Sequence, residues 1–212
     1  DLYYNKSHLN LLNDMTNTLQ SDELNLSIYQ HGIDVNKYFL DLYFHLEYDL
    51  PLKNEWKIPN WIYENENLIL KTLLPEYIIS KYQIFHDCGK PYCKIYDLDT
   101  KKYHFPNHAQ ISQEIWLNTH DNTEENTQIA KFILMDMDIH TIKAKDIVEF
   151  SNRIEATSLI LTGLAEIHAN AEMFGGIEST SFKIKYKQID RRGKQILKLI
   201  NENKIIGEKN EK

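Results

Sequence analysis

Apolar residues recur along most of this chain at intervals of three and four, the spacing that lines one face of an α-helix. Leu9, Leu12, Met15 and Leu19 predict a packing helix over residues 8–19, and Ser21-Asp22-Glu23 reads as the start signal of the next. Ile28, Val35, Phe39, Leu42 and Leu46 mark the buried side of a helix over 24–48. His31 stands in line with Ile28 and Val35. A His on an apolar stripe is more often a satisfied core residue than a ligand, and His45 reads as structural. Between 49 and 66 the periodicity stops. Pro51, Pro59, Trp56 and Trp61, among alternating charges, describe an ordered irregular loop whose tryptophans pin it down rather than clamp a flat ligand. Helical spacing resumes over 68–85, with Pro75 breaking or kinking the helix.

That helix delivers His86-Asp87-Cys88-Gly89-Lys90-Pro91, where Gly and Pro end it. Residues 92–105, with an Asp97-Leu98-Asp99-Thr100 turn, predict a short hairpin or extended excursion. Pro106-Asn107-His108-Ala109 then opens another helix, with Asn107 as its cap and His108 in its first turn. Over 124–142, Ile129, Phe132, Ile133 and Met137 form a core side that also carries Asp136, a costly place for a charge without a partner. His140 follows four residues later, where an ordinary surface pair with Asp136 is an equal reading; Asp138 reads as solvated. The helix predicted over 146–173 is the most apolar. Along it Ser158, Thr162, Glu166 and Asn170 make a four-residue polar stripe, expected to line a wet or ion-containing cavity rather than to be an exposed face. His168 and Glu172 lie off that stripe. Beyond Gly175-Gly176, residues 179–187 alternate Lys183, Lys185 and Lys187 with Phe182, Ile184 and Tyr186, which predicts a strand. Residues 201–212 read as a frayed tail, and no internal repeat is evident. The expected fold is an all-α helical bundle with a short β hairpin and a basic C-terminal segment over about 179–200.

Composition agrees with that class. A chain of 212 residues, 42% hydrophobic and 26% charged with only 7 Gly and 5 Pro, is expected to be one soluble domain, 1–212. No apolar run is long enough for a membrane span, and Asp1-Leu2-Tyr3-Tyr4-Asn5 carries no basic-then-apolar signal. Without an initiating Met, the start is read as following a trimmed segment. A net charge of −7 argues against extended duplex binding but leaves a small phosphorylated ligand or a polymer end. Lys183, Lys185, Lys187, Arg191, Arg192, Lys194 and Lys198 form a local basic patch that fits an anionic ligand, or the commoner case of an edge strand guarded by Lys. Cys88 and Cys93 are too few for a zinc site and read as reduced thiols in the cytoplasm. Nothing in the pattern speaks to oligomeric state.

The adjacent His86 and Asp87 offer a neutral nitrogen and an anionic oxygen side by side. A plain helix cap is the bland alternative, although an Asp is poorly placed at a helix C-terminus. One divalent ion would need further ligands from elsewhere in the chain. Candidates follow in order: His31, His86-Asp87, His108, Asp136, His140 and Glu166, each on a different predicted helix or helix end.

Assembled, these residues resemble the HD superfamily of metal-dependent phosphohydrolases over about 31–170. Its pattern is a His on one helix, an adjacent His-Asp on the next, and a later Asp, often with extra His between for a second metal. His86-Asp87-Cys88-Gly89-Lys90-Pro91 followed by His104-Phe105-Pro106-Asn107-His108 looks most like the HD modules of nucleotidyltransferases and polynucleotide end-processing enzymes. Ala165-Glu166 stands where the family usually has Ala-Asp, so the last ligand is either Glu166 or Asp136. His31 and His86 are 86 − 31 = 55 residues apart, and the surplus reads as an insertion over the site at 49–66.

The resemblance implies an HD-like helical fold and hydrolysis of phosphate esters of nucleotides, of nucleotidase, phosphodiesterase or triphosphohydrolase type. His31, His86, Asp87, His108, Asp136 and His140 would hold one or two divalent ions. Mn, Fe, Co, Ni or Zn suits imidazole with carboxylate better than Mg. Lys90, Asp87 and Glu166 would be catalytic, and Lys183, Lys185, Asn170 and Arg191 would bind substrate. The substrate is a nucleotide or a nucleic-acid end, with repair of 2′,3′-cyclic or 3′-phosphate RNA ends as the alternative. A noncatalytic metal and nucleotide sensor is the competing class, kept open by Glu166.

Overall fold

In the computed structural model, which describes residues 10–99 and 101–210, the protein is all-α apart from two short two-stranded antiparallel sheets. No helix among the described residues is long and apolar enough to cross a membrane. The contacts divide the chain into two compact units, Asp1–Asn36 with Tyr77–Met137 and Lys37–Glu76 with Asp138–Lys212.

The first unit opens with α1 (Leu11–Asn17), capped by the Asn10 side chain, which accepts from the Asn13 N–H. Residues 8 and 9 of the predicted helix lie outside the described residues. Leu19 belongs instead to strand β1 (Leu19–Ser21), paired with β2 (Leu26–Ser27). Ser21-Asp22-Glu23 therefore enters a turn, with Asn25 left-handed at φ 48°, and does not start a helix. The helix α2 (Ile28–Tyr48) begins four residues later than predicted, where Ser27 Oγ accepts from the Gln30 N–H at 3.1 Å. Leu11, Met15, Ile28, Cys88 and Ile115 make a core, with Phe85 and Tyr92 packed on it. Around it stand α5 (Glu76–Phe85), the single turn α6 (Lys90–Cys93), α7 (His108–Thr119) and α8 (Glu124–Met135). The predicted hairpin is present as β3 (Ile95–Asp97) and β4 (Lys102–His104); Thr100 of its turn lies outside the described residues. Asn107 precedes α7 in a left-handed conformation, φ 55°, and makes no side-chain cap bond.

In the second unit, residues 49–59 are irregular, as predicted, but α3 (Asn60–Glu64) ends the loop early. Next, α4 (Glu66–Thr72) stops before Pro75, so the helix predicted over 68–85 is two, α4 and α5. Likewise 124–142 divides into α8 and α9 (Asp138–Thr141), and 146–173 into α10 (Ile147–Ser151) and α11 (Ala156–Ala169). The strand predicted over 179–187 is the start of α12 (Thr180–Asn210). Phe182, Ile189 and Ile196 are buried at seven-residue steps, whereas Ile184 is 55% exposed. A nine-residue alternation was too short a window to reveal that longer period. The helix also takes in 201–210 of the predicted tail, and the last two residues lie outside the described residues.

The loop 49–59 is held from within the unit. The Asp41 carboxylate accepts from the N–H groups of Lys53 and Asn54, the Asn54 amide and the Trp56 indole, at 2.8–3.1 Å. Trp56 packs on His168 at 4.5 Å between ring centroids, and the Lys57 N–H bonds His168 Nε2 at 3.0 Å. Trp61 donates to Asp190 at 3.0 Å. The tryptophans pin the loop, as their sequence context predicts.

Candidate metal centre

Two glycines permit the close approaches that build the site in the first unit. A Cβ on Gly32 would stand 2.3 Å from the Ile84 carbonyl oxygen, so α2 lies directly against the end of α5. That contact sets His31 beside His86, with ring centroids 5.2 Å apart. A Cβ on Gly89 would stand 2.4 Å from the Ser112 nitrogen, and the Gly89 N–H donates to Ser112 Oγ at 2.8 Å. The turn carrying His86 and Asp87 is thereby fastened to α7, whose first residue is His108.

Asp87 is the hub. Its Oδ2 lies 2.6 Å from Lys90 Nζ, 3.1 Å from His86 Nε2 and 3.7 Å from His31 Nε2; its Oδ1 lies 3.7 Å from His108 Nε2. Oδ1 is buried and accepts no hydrogen bond among the described residues. The Nδ1 atoms of His86 and His108 lie 2.7 Å and 3.0 Å from the carbonyls of Gln83 and Phe105. A carbonyl accepts only, so it assigns the proton to Nδ1 and leaves Nε2 as the lone-pair nitrogen of a neutral ring. At His86 this sets a nitrogen lone pair against a carboxylate oxygen, which requires a proton or a cation between them.

His31, His86 and Asp87 could hold a metal ion, since one ligand atom from each lies within 4.8 Å of the others. Two ligands about 2.1 Å from one ion stand about 3.0 Å apart at a right angle and about 3.4 Å apart at the tetrahedral angle. The Nε2 to Oδ2 separations of 3.1 Å and 3.7 Å fall near that interval. Two imidazoles and a carboxylate are a donor set for a borderline divalent cation, so the residues fit one.

Burial by itself would raise the Asp87 carboxyl, but with no ion bound the charge of a protonated His86 ring and of Lys90 outweighs it and holds the group well below the usual carboxylate range. Lys90 is itself buried, bonded to Gln20 Oε1 at 3.0 Å and resting over the Phe105 ring at 5.3 Å. Burial pushes the neighbouring Cys88 thiol up, and its Sγ donates to the Ser112 carbonyl, so it is a packing group and no nucleophile.

Asp136, at the end of α8, has the partner its apolar surroundings demand. Tyr82 donates its hydroxyl to Asp136 Oδ1, stacks on Phe132 at 4.9 Å and meets the His86 ring at 6.4 Å. Because α8 ends at Met135, the i,i+4 pairing of Asp136 with His140 is not made by a helix. His140 instead bonds Glu166 in the second unit, Nε2 to Oε2, at 2.8 Å, and its carbonyl accepts from Arg192 Nη1 at 2.9 Å. The stripe on α11 is buried rather than solvated at Ser158, Thr162 and Asn170. Ser158 Oγ accepts from the Leu74 N–H at 3.2 Å. Of the remaining substrate candidates, Lys183 pairs with Glu178 at 2.7 Å, Lys185 lies over the Phe174 ring at 4.9 Å, and Arg191 is exposed, all through α12 rather than along a strand.

Structure therefore brings together His31, His86, Asp87, Lys90 and His108, sets a carboxylate oxygen of Asp136 within 4.8 Å of a His86 ring nitrogen, and joins His140 to Glu166. Residues absent from the sequence reading are Tyr82, Gln20 and Gly32, and Gly89 entered it only as a helix stop. Gly32 directly after His31 was the available signal, since a mid-helix Gly next to a candidate ligand marks a close approach. No family model matches the chain, and no curated protein or solved structure matches it.

Proposed function

We propose that the protein is a metal-dependent phosphohydrolase of the HD type, acting on phosphate esters of nucleotides. One observation carries the reading: the buried Asp87 carboxylate receives the Nε2 faces of His86 and His108, both oriented by carbonyl bonds at Nδ1, with His31 Nε2 completing the cluster. Orienting imidazoles through the far nitrogen is how proteins prepare His as a ligand. A bound divalent cation would supply Lewis acidity toward a phosphoryl oxygen and toward water. The chain's own part is to hold that charge, with Asp87 kept ionised, and to keep Lys90 as a second fixed positive charge beside the reacting phosphate. His108, on the other carboxylate oxygen, makes a second ion sterically reasonable. Cys88 and Cys93 are free thiols, which suits the cytoplasm.

The test is phosphate release by wild type and by His86→Ala/Asp87→Ala, with Mn²⁺, Co²⁺, Ni²⁺ or Mg²⁺, from nucleotides and from RNA ending in 3′ or 2′,3′-cyclic phosphate. Turnover in wild type that the double variant loses supports the reading. A folded, metal-loaded protein with no turnover on any substrate overturns it in favour of a noncatalytic sensor.

A further inference from the structure

The β3–β4 hairpin of the first unit sorts its side chains by face. Its register, Ile95↔His104, Tyr96↔Tyr103 and Asp97↔Lys102, places Tyr96 and Tyr103 on one side and Ile95, Asp97, Lys102 and His104 on the other. Contacts agree with that division. His104 Nε2 lies 3.4 Å from Asp97 Oδ2, while Lys94 Nζ lies 3.8 Å from the centre of the Tyr103 ring. Tyr96 and Tyr103 meet edge to face at 5.1 Å and remain 49% and 43% exposed. One face thus carries two half-exposed tyrosines, one of them under a lysine, and the one strand carboxylate of the hairpin is on the other. Lys101, left-handed at φ 53°, is an exposed cation at the turn, where Asp99 is exposed as well.

A cross-strand tyrosine pair that merely steadies the hairpin is the ordinary reading. It accounts for the pair, but not for a lysine seated on the aromatic face, away from Asp97, on a chain of net charge −7. Nor does it account for where the hairpin is rooted. One end follows α6, whose Lys90 is bonded to Asp87. The other leads through Phe105, whose ring lies under Lys90 and whose carbonyl orients His108. From His104 to His108 is four residues, at most roughly 14 Å of extended chain.

We propose that this face is a stacking platform for a single-stranded polynucleotide. The proposal rests on the phosphohydrolase reading and names its substrate as a strand end rather than a free nucleotide. With the terminal phosphate at the Asp87 cluster, neighbouring bases stack on Tyr96 and Tyr103, and Lys94 and Lys101 meet the phosphates between them. Such a platform tolerates any sequence, because every base presents a π face.

The test is fluorescence anisotropy of short labelled single-stranded RNA and DNA with the full chain in EDTA, competed by mononucleotides. Wild type should bind both oligonucleotides more tightly than mononucleotides. Tyr96→Ala and Tyr103→Ala should each weaken binding by about tenfold or more. Tyr96→Phe and Tyr103→Phe, which keep the ring, should bind as wild type, and Lys94→Ala should flatten the salt dependence. In the His86→Ala/Asp87→Ala background hydrolysis should be lost while the tyrosine-to-alanine changes still weaken strand binding, which separates the platform from hydrolysis. The platform is overturned if the alanine variants bind like wild type, if mononucleotides are hydrolysed while strands do not bind, or if the tyrosines govern only self-association in sedimentation. Tyrosine-dependent strand binding with no hydrolysis of any substrate would sink the phosphohydrolase reading and leave the platform standing.

Discussion

His86 Nε2 stands 3.1 Å from Asp87 Oδ2 while the opposite nitrogen of the same ring is committed to the Gln83 carbonyl. Two electron-rich atoms are thereby held at ligand-to-ligand distance in a buried place. A cation between them should stabilise the fold by mass action. At a hundredfold excess over its dissociation constant, Mn²⁺ or Ni²⁺ should add about 2.7 kcal/mol. Differential scanning calorimetry should show a rise in Tm for wild type and none for Asp87→Ala; equal shifts in both proteins would mean the ion binds elsewhere.

The approach of α2 to α5 depends on the missing side chain of Gly32. A methyl group 2.3 Å from the Ile84 oxygen forces backbone apart, because no flexible side chain is there to yield. Gly32→Ala should cost about 2 kcal/mol or more in urea denaturation. It should also weaken metal binding by moving His31, whereas a purely structural contact would leave the metal affinity per folded molecule unchanged.

Tyr82→Phe leaves Asp136 buried without its hydroxyl donor. The expected cost is about 1–3 kcal/mol of stability, that of one hydrogen bond lost from a buried carboxylate. Chemical denaturation checks it, and a loss below about half a kcal/mol would show that other partners satisfy the carboxylate.

His168 is locked neutral: Nδ1 donates to the Leu164 carbonyl and Nε2 accepts from the Lys57 N–H. Burial lowers its pKa from 6.5 to about 4, only partly offset by the bond to the Leu164 carbonyl. Because the folded pKa is depressed, protonation favours the unfolded chain. The associated stability is complete above pH 6.5 and is lost as pH falls toward 4. The loss should reach roughly 2 kcal/mol by pH 5 and about 3 kcal/mol in full. Urea titrations of wild type and His168→Gln across that range should differ in slope, wild type losing stability more steeply on acidification.

Asp41→Ala removes the acceptor that organises residues 53–56. We expect a loss of about 3 kcal/mol, with proteolytic cleavage appearing first in that loop. Resistance equal to wild type would mean that Trp56 and His168 hold the loop unaided.

Helical character, the hairpin at 95–104 and the break at Pro75 were legible because each is set locally, by periodicity or by a backbone-restricting residue. The residue types of the candidate centre were legible too, since His86-Asp87 is contiguous and His31 and His108 fall at recognisable helix positions. Local rules also misled: alternation over 179–187 mimicked a strand, because nine residues sample too little of a helix whose buried positions recur every seven. What the tertiary structure alone decided is who meets whom. That Asp136 is answered by Tyr82, His140 by Glu166, and Asp41 by the loop at 53–56 depends on contacts between segments far apart in the chain. No spacing rule encodes such contacts, because they follow from how closely whole helices approach. At the candidate centre, that approach is set by the absence of a Cβ at Gly32 and Gly89.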